Sequence, residues 1–290
     1  MTIRTLTALI VPMALLATAA CTDGSGKDSS PDDADADTDT DADTDTDSDT
    51  DSDSDTDADT DTDAGNANVS GVTQWADGSA AEGLQMRLCY ETCRTANTDS
   101  SGAWSFEGVE NYDHTLQAVV LGGTGYAIPH AVVMLRDDET RVLSEPLKMA
   151  EFTGSTDVSG TATVSGDGIT IEADRAAMTQ GSYTPDYDTY YVASVEVDPS
   201  TAGLPWDGLS GTPVAMWYLG NFDTTLSPPA PFSTASDYGL DDGTQVEIFV
   251  TSNEDHGWIS GGTATVTGGQ IVSDGGSGIP KLNTLVLVTP

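Results

Sequence analysis

From Asp33 to Asp63 every odd-numbered residue is aspartate, and the even positions between them hold only Ala, Ser or Thr. This pattern forbids a folded core. The run contains no apolar side chain larger than a methyl group, so it buries too little surface to offset the conformational entropy of ordering a chain. Like charges at every second residue also push the backbone open. Residues 22–64 hold 19 of the 48 acidic residues with Lys27 as their one base. These 43 residues would reach about 140 Å at about 3.3 Å each when extended. Residues 22–65 are therefore expected to be a disordered linker, a spacer between something before it and something after it. A rival reading is calcium binding, because "DTDTDSD" mimics the first acidic positions of a calcium loop. The loop's central glycine and closing glutamate are missing, which leaves only weak, multi-site cation association.

The residues before the spacer give it a purpose. "MTIRTLTALIVPMALLATAAC" has a basic start at Arg4, an apolar stretch from Leu6 to Leu16, and small residues running into Cys21. That is the three-part layout of an export signal, and its apolar part is short for a membrane span of about 20 residues. The ending "TAAC" resembles a bacterial lipoprotein signal, in which the cysteine is lipidated and becomes the new first residue. The resemblance implies residues 1–21 as signal, Cys21 as the lipidation site, and a membrane partner through the lipid. Thr22 rather than Asp at the next position implies the outer membrane, on its periplasmic or cell-surface face. Cysteine arithmetic agrees. The chain has three cysteines; Cys89 and Cys93 sit together in "CYETC", and Cys21 is left over.

After the spacer the composition changes. Residues 65–290 still carry 29 acidic against 7 basic side chains, so a phosphate backbone would be repelled and nucleic acid is not an expected partner. Here Val, Ile, Leu and aromatic residues are frequent enough for a core. In 66–149, Leu84, Met86 and Leu88 alternate with Gln85 and Arg87, the period of a half-buried strand. An Asp77-Gly78 turn precedes them, and a hairpin at "CYETC" would bring Cys89 and Cys93 within disulfide range, in keeping with export. A turn at Asp99-Ser100-Ser101-Gly102 leads to a strand with Trp104 and Phe106 on one face.

Taken together, Val69, Gly71, Asp77, Gly78, Gly83, Leu88, Thr98, Asp99, Gly102, Trp104, Phe106 and Val109 resemble the pattern of the carboxypeptidase-regulatory-like, or transthyretin-like, domain. The family's usual Pro-Gly before the next strand is replaced here by Glu110–His114. The resemblance implies a small β-sandwich for 66–149 and a non-catalytic scaffold or binding role.

Residues 150–290 also read as all-β, with strand candidates in "YYVASVEV", "PVAMWYLG", "QVEIFVT" and "TLVLVT" and no sustained helical period. "SGTATVSGDGI" and "GGTATVTGGQI" are near copies, which fits either an internal duplication or the reuse of Gly-Thr strand starts in a β-sandwich. The expected fold is thus all-β, two β-sandwich domains behind a disordered acidic linker, with 150–290 a β-sandwich of unknown family.

Catalytic motifs are missing from the sequence. His114, His130 and His256 stand alone, there is no H-E-x-x-H, no G-x-S-x-G and no phosphate-binding glycine loop. No catalytic residue, metal site or cofactor is expected. "NEDHG", with Glu254, Asp255 and His256, reads as a surface turn. Tyr183, Tyr187, Tyr190 and Trp206 are the candidate ligand-binding residues, because exposed aromatics beside acidic groups stack on sugars or anchor a protein partner. Trp217 and Tyr218 lie in an apolar strand and are read as core. The functional expectation is a lipid-anchored cell-envelope protein with non-catalytic β-sandwich modules for binding carbohydrate or a surface protein, or for a structural role. The alternative is a surface hydrolase with catalytic carboxylates in 150–290, such as Asp186 with Asp207.

Overall fold

The computed structural model describes residues 65–121, 125–185 and 188–290. The signal, Cys21 and the aspartate run lie outside the described residues, as do Asp186 and Tyr187. The described chain is all-β in several sheets.

Eight strands come first: β1 Ala67–Trp75, β2 Gln85–Cys89, β3 Cys93–Asn97, β4 Ala103–Val109, β5 Asp113–Val119, β6 His130–Met134, β7 Thr140–Val142 and β8 Leu147–Met149. β4, β1 and β7 form one sheet, with β8 also on β1; β3, β2, β5 and β6 form the other. Val69, Trp104 and Phe106 from the first face Met86, Leu88, Leu116 and Val133 from the second in one buried cluster. The alternation read from Leu84 to Leu88 is the one that fills it.

The turns explain particular residues. Asp99 accepts hydrogen bonds through Oδ1 from the backbone N–H of Ser101 (2.8 Å) and Ala103 (3.0 Å). Gly102 follows at φ +78°, and a Cβ there would stand 2.2 Å from the carbonyl oxygen of Thr73. Gly71 leaves room for the Trp104 indole, which a Cβ would meet at 2.7 Å. That indole donates to the Thr73 hydroxyl at 3.1 Å.

The rest of the chain supplies β9 Thr156–Asp157, β10 Thr161–Gly166, β11 Ile169–Asp174, β12 Met178–Gln180, β13 Tyr191–Val197, β14 Thr212–Gly220, β15 Thr224–Ala230, β16 Phe232–Thr234, β17 Gln245–Ser252, β18 Gly257–Thr267, β19 Gln270–Ser273, β20 Ile279–Lys281 and β21 Thr284–Thr289. Ten of these make one sheet in the order β10-β11-β16-β19-β18-β17-β21-β14-β13-β9, and β12-β15-β20 make a smaller one. The large sheet curls back on itself. The β10–β11 turn reaches the far strands, where Trp217 Nε1 donates to the Asp167 carbonyl (2.9 Å) and the Glu196 N–H to the Asp167 carboxylate (2.8 Å). Strand twist drives such curling, and it encloses a second buried cluster.

Two central strands are covered on both faces. In β14, Met216 and Tyr218 point into the core of the first sandwich while Trp217 and Leu219 point into the second cluster. In β21, Val286 and Val288 face one way and Leu285 and Leu287 the other. Strands buried twice read as unbroken apolar runs, which accounts for "VAMWYLG" and "LVLV". Trp217 and Tyr218 are fully buried. The apolar interior therefore continues across the 149/150 position, and the described residues from 65 to 290 cluster as one compact unit.

The near copies in the sequence are both two-residue hairpins. Gly166 pairs with Ile169 around Asp167-Gly168, and Thr267 pairs with Gln270 around Gly268-Gly269. All four loop residues have positive φ, the requirement of the hairpin turn whose twist matches its strands.

A candidate binding cleft and a buried polar cluster

A cleft of about 640 Å³ opens where the end of β1, the end of β8 and the strand β13 meet. Trp75 ends β1 and presents a half-buried ring, held against Tyr126 with centroids 5.3 Å apart. Met149, Ala150 and Val195 supply an apolar floor. Lys148 stands in the wall, its ammonium donating to Gln74 Oε1 at 2.7 Å. Tyr218 fixes the same strand from below by donating to the Lys148 carbonyl at 3.1 Å, and burial pushes its phenol pKa upward.

Four carboxylates rim the cleft, and each already serves a neighbour. Asp77 accepts from the Ser79 hydroxyl (2.6 Å) and N–H (2.9 Å), and these bonds hold its pKa below the usual carboxylate value. Asp198 accepts from the Ser200 hydroxyl (2.7 Å) and N–H (2.9 Å). Glu196 accepts from the Tyr238 hydroxyl at 2.8 Å, and Glu151 accepts from Tyr126. The arrangement combines an aromatic face with an acidic, hydrogen-bonding rim. It suits a neutral or cationic polar ligand with one flat apolar face.

The aromatic residues singled out from sequence fall in different surroundings. Tyr183 is half-buried, its hydroxyl 3.7 Å from Cys93 Sγ. Tyr190 is half-buried beneath the Arg175 guanidinium, which sits 3.2 Å above its ring centroid. Trp206 is half-buried and stacks on Trp258, with centroids 6.2 Å apart. Tyr187 lies outside the described residues. None of the three described residues lines the large cleft. Sequence reading passed over Trp75 because it ends a regular strand beside a turn, where an aromatic reads as core.

Asp207, one half of the carboxylate pair considered above, is a structural anchor. The Arg141 guanidinium binds both its oxygens, with Nη2 to Oδ1 at 2.9 Å. The Met134 N–H donates to Oδ2 at 2.8 Å. Its partner Asp186 lies outside the described residues. Cys89 and Cys93 are joined by a disulfide across the β2–β3 hairpin. Beside it Tyr90 stacks on Tyr112, with centroids 4.4 Å apart, and meets the tilted ring of His256 at 4.5 Å.

A polar cluster is buried behind these strands. Lys281 lies 4% exposed at the end of β20, and Asp223, just before β15, is fully buried. Lys281 Nζ donates to Asp223 Oδ1 at 3.1 Å and to Glu254 of the β17–β18 turn. The "NEDHG" loop, expected as a plain surface turn, is therefore tied inward by Glu254, and its His256 packs on Tyr90. Burial raises the Asp223 carboxyl pKa, against the pull of the Lys281 charge. Asn253 accepts from both Gln117 Nε2 and Thr115 Oγ1 at 2.8 Å, and the fully buried His130 is pushed down to about 3 by burial and by Lys281. Among the described residues no group of three or more His, Cys, Asp or Glu side chains could hold a metal ion, and no helix is long and apolar enough to cross a membrane.

No family model and no curated protein matches this chain. Among solved structures, a protein from Bacteroides uniformis provisionally described as a carbohydrate binding protein is similar over 78% of this chain and 80% of that one, at 8% identity and a TM-score of 0.24. A likeness of that size carries no argument about this chain's ligand.

Proposed function

We propose that this chain is a lipid-anchored cell-envelope protein whose folded part is held off the outer membrane by the acidic spacer and binds a ligand without transforming it. The observation that carries the binding reading is the Trp75 cleft. An aromatic face above an apolar floor offers a stacking platform, and carboxylates already engaged by Ser79, Ser200, Tyr238 and Tyr126 are placed to accept hydrogen bonds from a ligand. A carbohydrate has that chemistry: an apolar ring face surrounded by hydroxyl donors. Net negative charge at the rim disfavours acidic ligands and favours neutral or amino sugars. The resemblance of residues 69–109 to carboxypeptidase-regulatory-like domains supports a non-catalytic module. The export signal ending in Ala-Ala-Cys21 supports the anchor.

Two measurements test the proposal. The full-length protein and its Trp75→Ala variant are applied to a glycan array. Retention of neutral or amino sugars by the wild type, lost by at least about tenfold in the variant, is expected, since truncating an aromatic anchor at a binding site costs about 2 kcal/mol or more. Equal retention by both proteins, or none by either, defeats the cleft assignment. Metabolic labelling with a fatty-acid analogue should mark the wild type and spare Cys21→Ser; equal labelling removes the anchor.

A further inference from the structure

We propose that Lys281 and Asp223 condense to an intramolecular amide, with Glu254 as the proton carrier.

The three side chains are brought together by topology alone. β15 lies between β12 and β20 in the three-stranded sheet, and Thr225 pairs with Lys281. This register sets Asp223 beside the lysine, with Nζ 3.1 Å from Oδ1. The second carboxyl oxygen is held elsewhere. Oδ2 accepts the Tyr183 N–H at 3.2 Å, and it lies 2.1 Å from where a Cβ on Gly181 would stand. The two oxygens of one carboxyl group are thus distinguished. Oδ1 faces the amine, and Oδ2 is polarised by a backbone donor, as the carbonyl oxygen of an acyl group under attack would be. Glu254 reaches Lys281 from the opposite turn, and its side chain is 59% exposed, so it connects the buried pair to solvent.

The reaction balances without any other reactant. Within the ion pair one proton passes from the ammonium to Asp223, giving a neutral amine and a neutral carboxylic acid. The amine nitrogen attacks Cγ, and the N–Cγ bond forms. Glu254 accepts one proton from that nitrogen and returns it to the departing hydroxyl. The Cγ–Oδ1 bond breaks, one water leaves, and Glu254 ends as it began. Nothing is oxidised or reduced.

Two physical terms favour the product. An ammonium and a carboxylate withdrawn from water bear a desolvation penalty that an amide does not, and burial here already favours the neutral acid. Partners fixed in contact also react as though at effective concentrations on the order of 10⁵–10⁸ M. Those terms oppose the stability of the separated ions in water. The product would link the strand pair through side chains 58 residues apart in sequence.

Peptide mapping decides the matter. The full chain is expressed with its own signal, denatured, alkylated, and digested with chymotrypsin and then trypsin. The expected result is a branched peptide joining the Asp223 and Lys281 segments, one water lighter than the two together, with no tryptic cleavage after Lys281. The Glu254→Gln variant should keep its circular dichroism spectrum and yield at least about tenfold less branched peptide at a fixed time after synthesis. Full recovery of the two linear segments from the wild type, with cleavage after Lys281, overturns the amide and leaves a buried ion pair. Branched peptide at the wild-type level in Glu254→Gln overturns the part given to Glu254.

Discussion

His130 should make this protein acid-sensitive. It opens β6, is fully buried, and donates its backbone N–H to the Thr284 hydroxyl at 3.0 Å. Its ring meets Phe222 edge-on at 5.4 Å, and Lys281 of β20 and Asn253 and Glu254 of the β17–β18 turn act on it. Burial, with the Lys281 charge, pushes its pKa from 6.5 down to about 3. The unfolded chain therefore binds a proton below about pH 6.5 that the folded chain refuses until about pH 3, so stability rises with pH across that window and is lost as pH falls through it. At pH 4 this single group removes about 3 kcal/mol relative to pH 7. Before any condensation with Lys281, the free Asp223 carboxyl acts in the opposite sense. Its raised carboxyl lets the folded state hold a proton that the unfolded state releases, which favours folding as pH drops toward its own range. Comparing wild type with His130→Leu largely cancels that contribution. Urea unfolding followed by tryptophan fluorescence, repeated between pH 7 and pH 4, should show wild type losing about 3 kcal/mol more than the variant. Parallel pH profiles for the two proteins would refute the assignment of acid sensitivity to His130.

Three further outcomes follow from the same structure. Gly102→Ala places a Cβ 2.2 Å from the Thr73 carbonyl at a φ of +78°, so thermal unfolding should show a loss of more than about 1 kcal/mol. Arg141→Met leaves the half-buried Asp207 carboxylate without its cation; a cost of about 1–3 kcal/mol is expected, with a weaker near-ultraviolet circular dichroism signal from the Trp206–Trp258 pair whose loop Asp207 fixes. Reducing Cys89–Cys93, whose sequence separation is 4, should cost only about 2 kcal/mol in urea unfolding, because so short a loop restricts the unfolded chain little.

The alternation of Leu84, Met86 and Leu88 and the Asp99-to-Gly102 turn were legible because each is a local rule: period two for a half-buried strand, and a carboxylate capping a turn that only glycine can close. The same locality made the β-class of both halves readable, along with the Gly-Asp-Gly turn after Val164-Ser165 and the place of Trp217 and Tyr218 in the core. It also told against a packed core in the aspartate run, since an absence of apolar side chains is a property of composition. The sites behave differently. Trp75 looks like any strand-end aromatic until β8 and β13 arrive beside it, and Asp207 looks like a free carboxylate until Arg141 closes on it from 66 residues away. Lys281 and Asp223 carry no shared motif, and only the pairing of β15 with β20 makes them neighbours. The continuous interior across residue 149 belongs to this second group too, because β14 and β21 acquire two buried faces only when the first sandwich packs against them. By itself the sequence determined which segments form strands and which segment lacks the material for a core, because those depend on residues a few positions apart. The tertiary structure alone decided which polar groups are buried together, because in a sheet protein the partners that set charge, desolvation and reactivity come from strands distant in the chain.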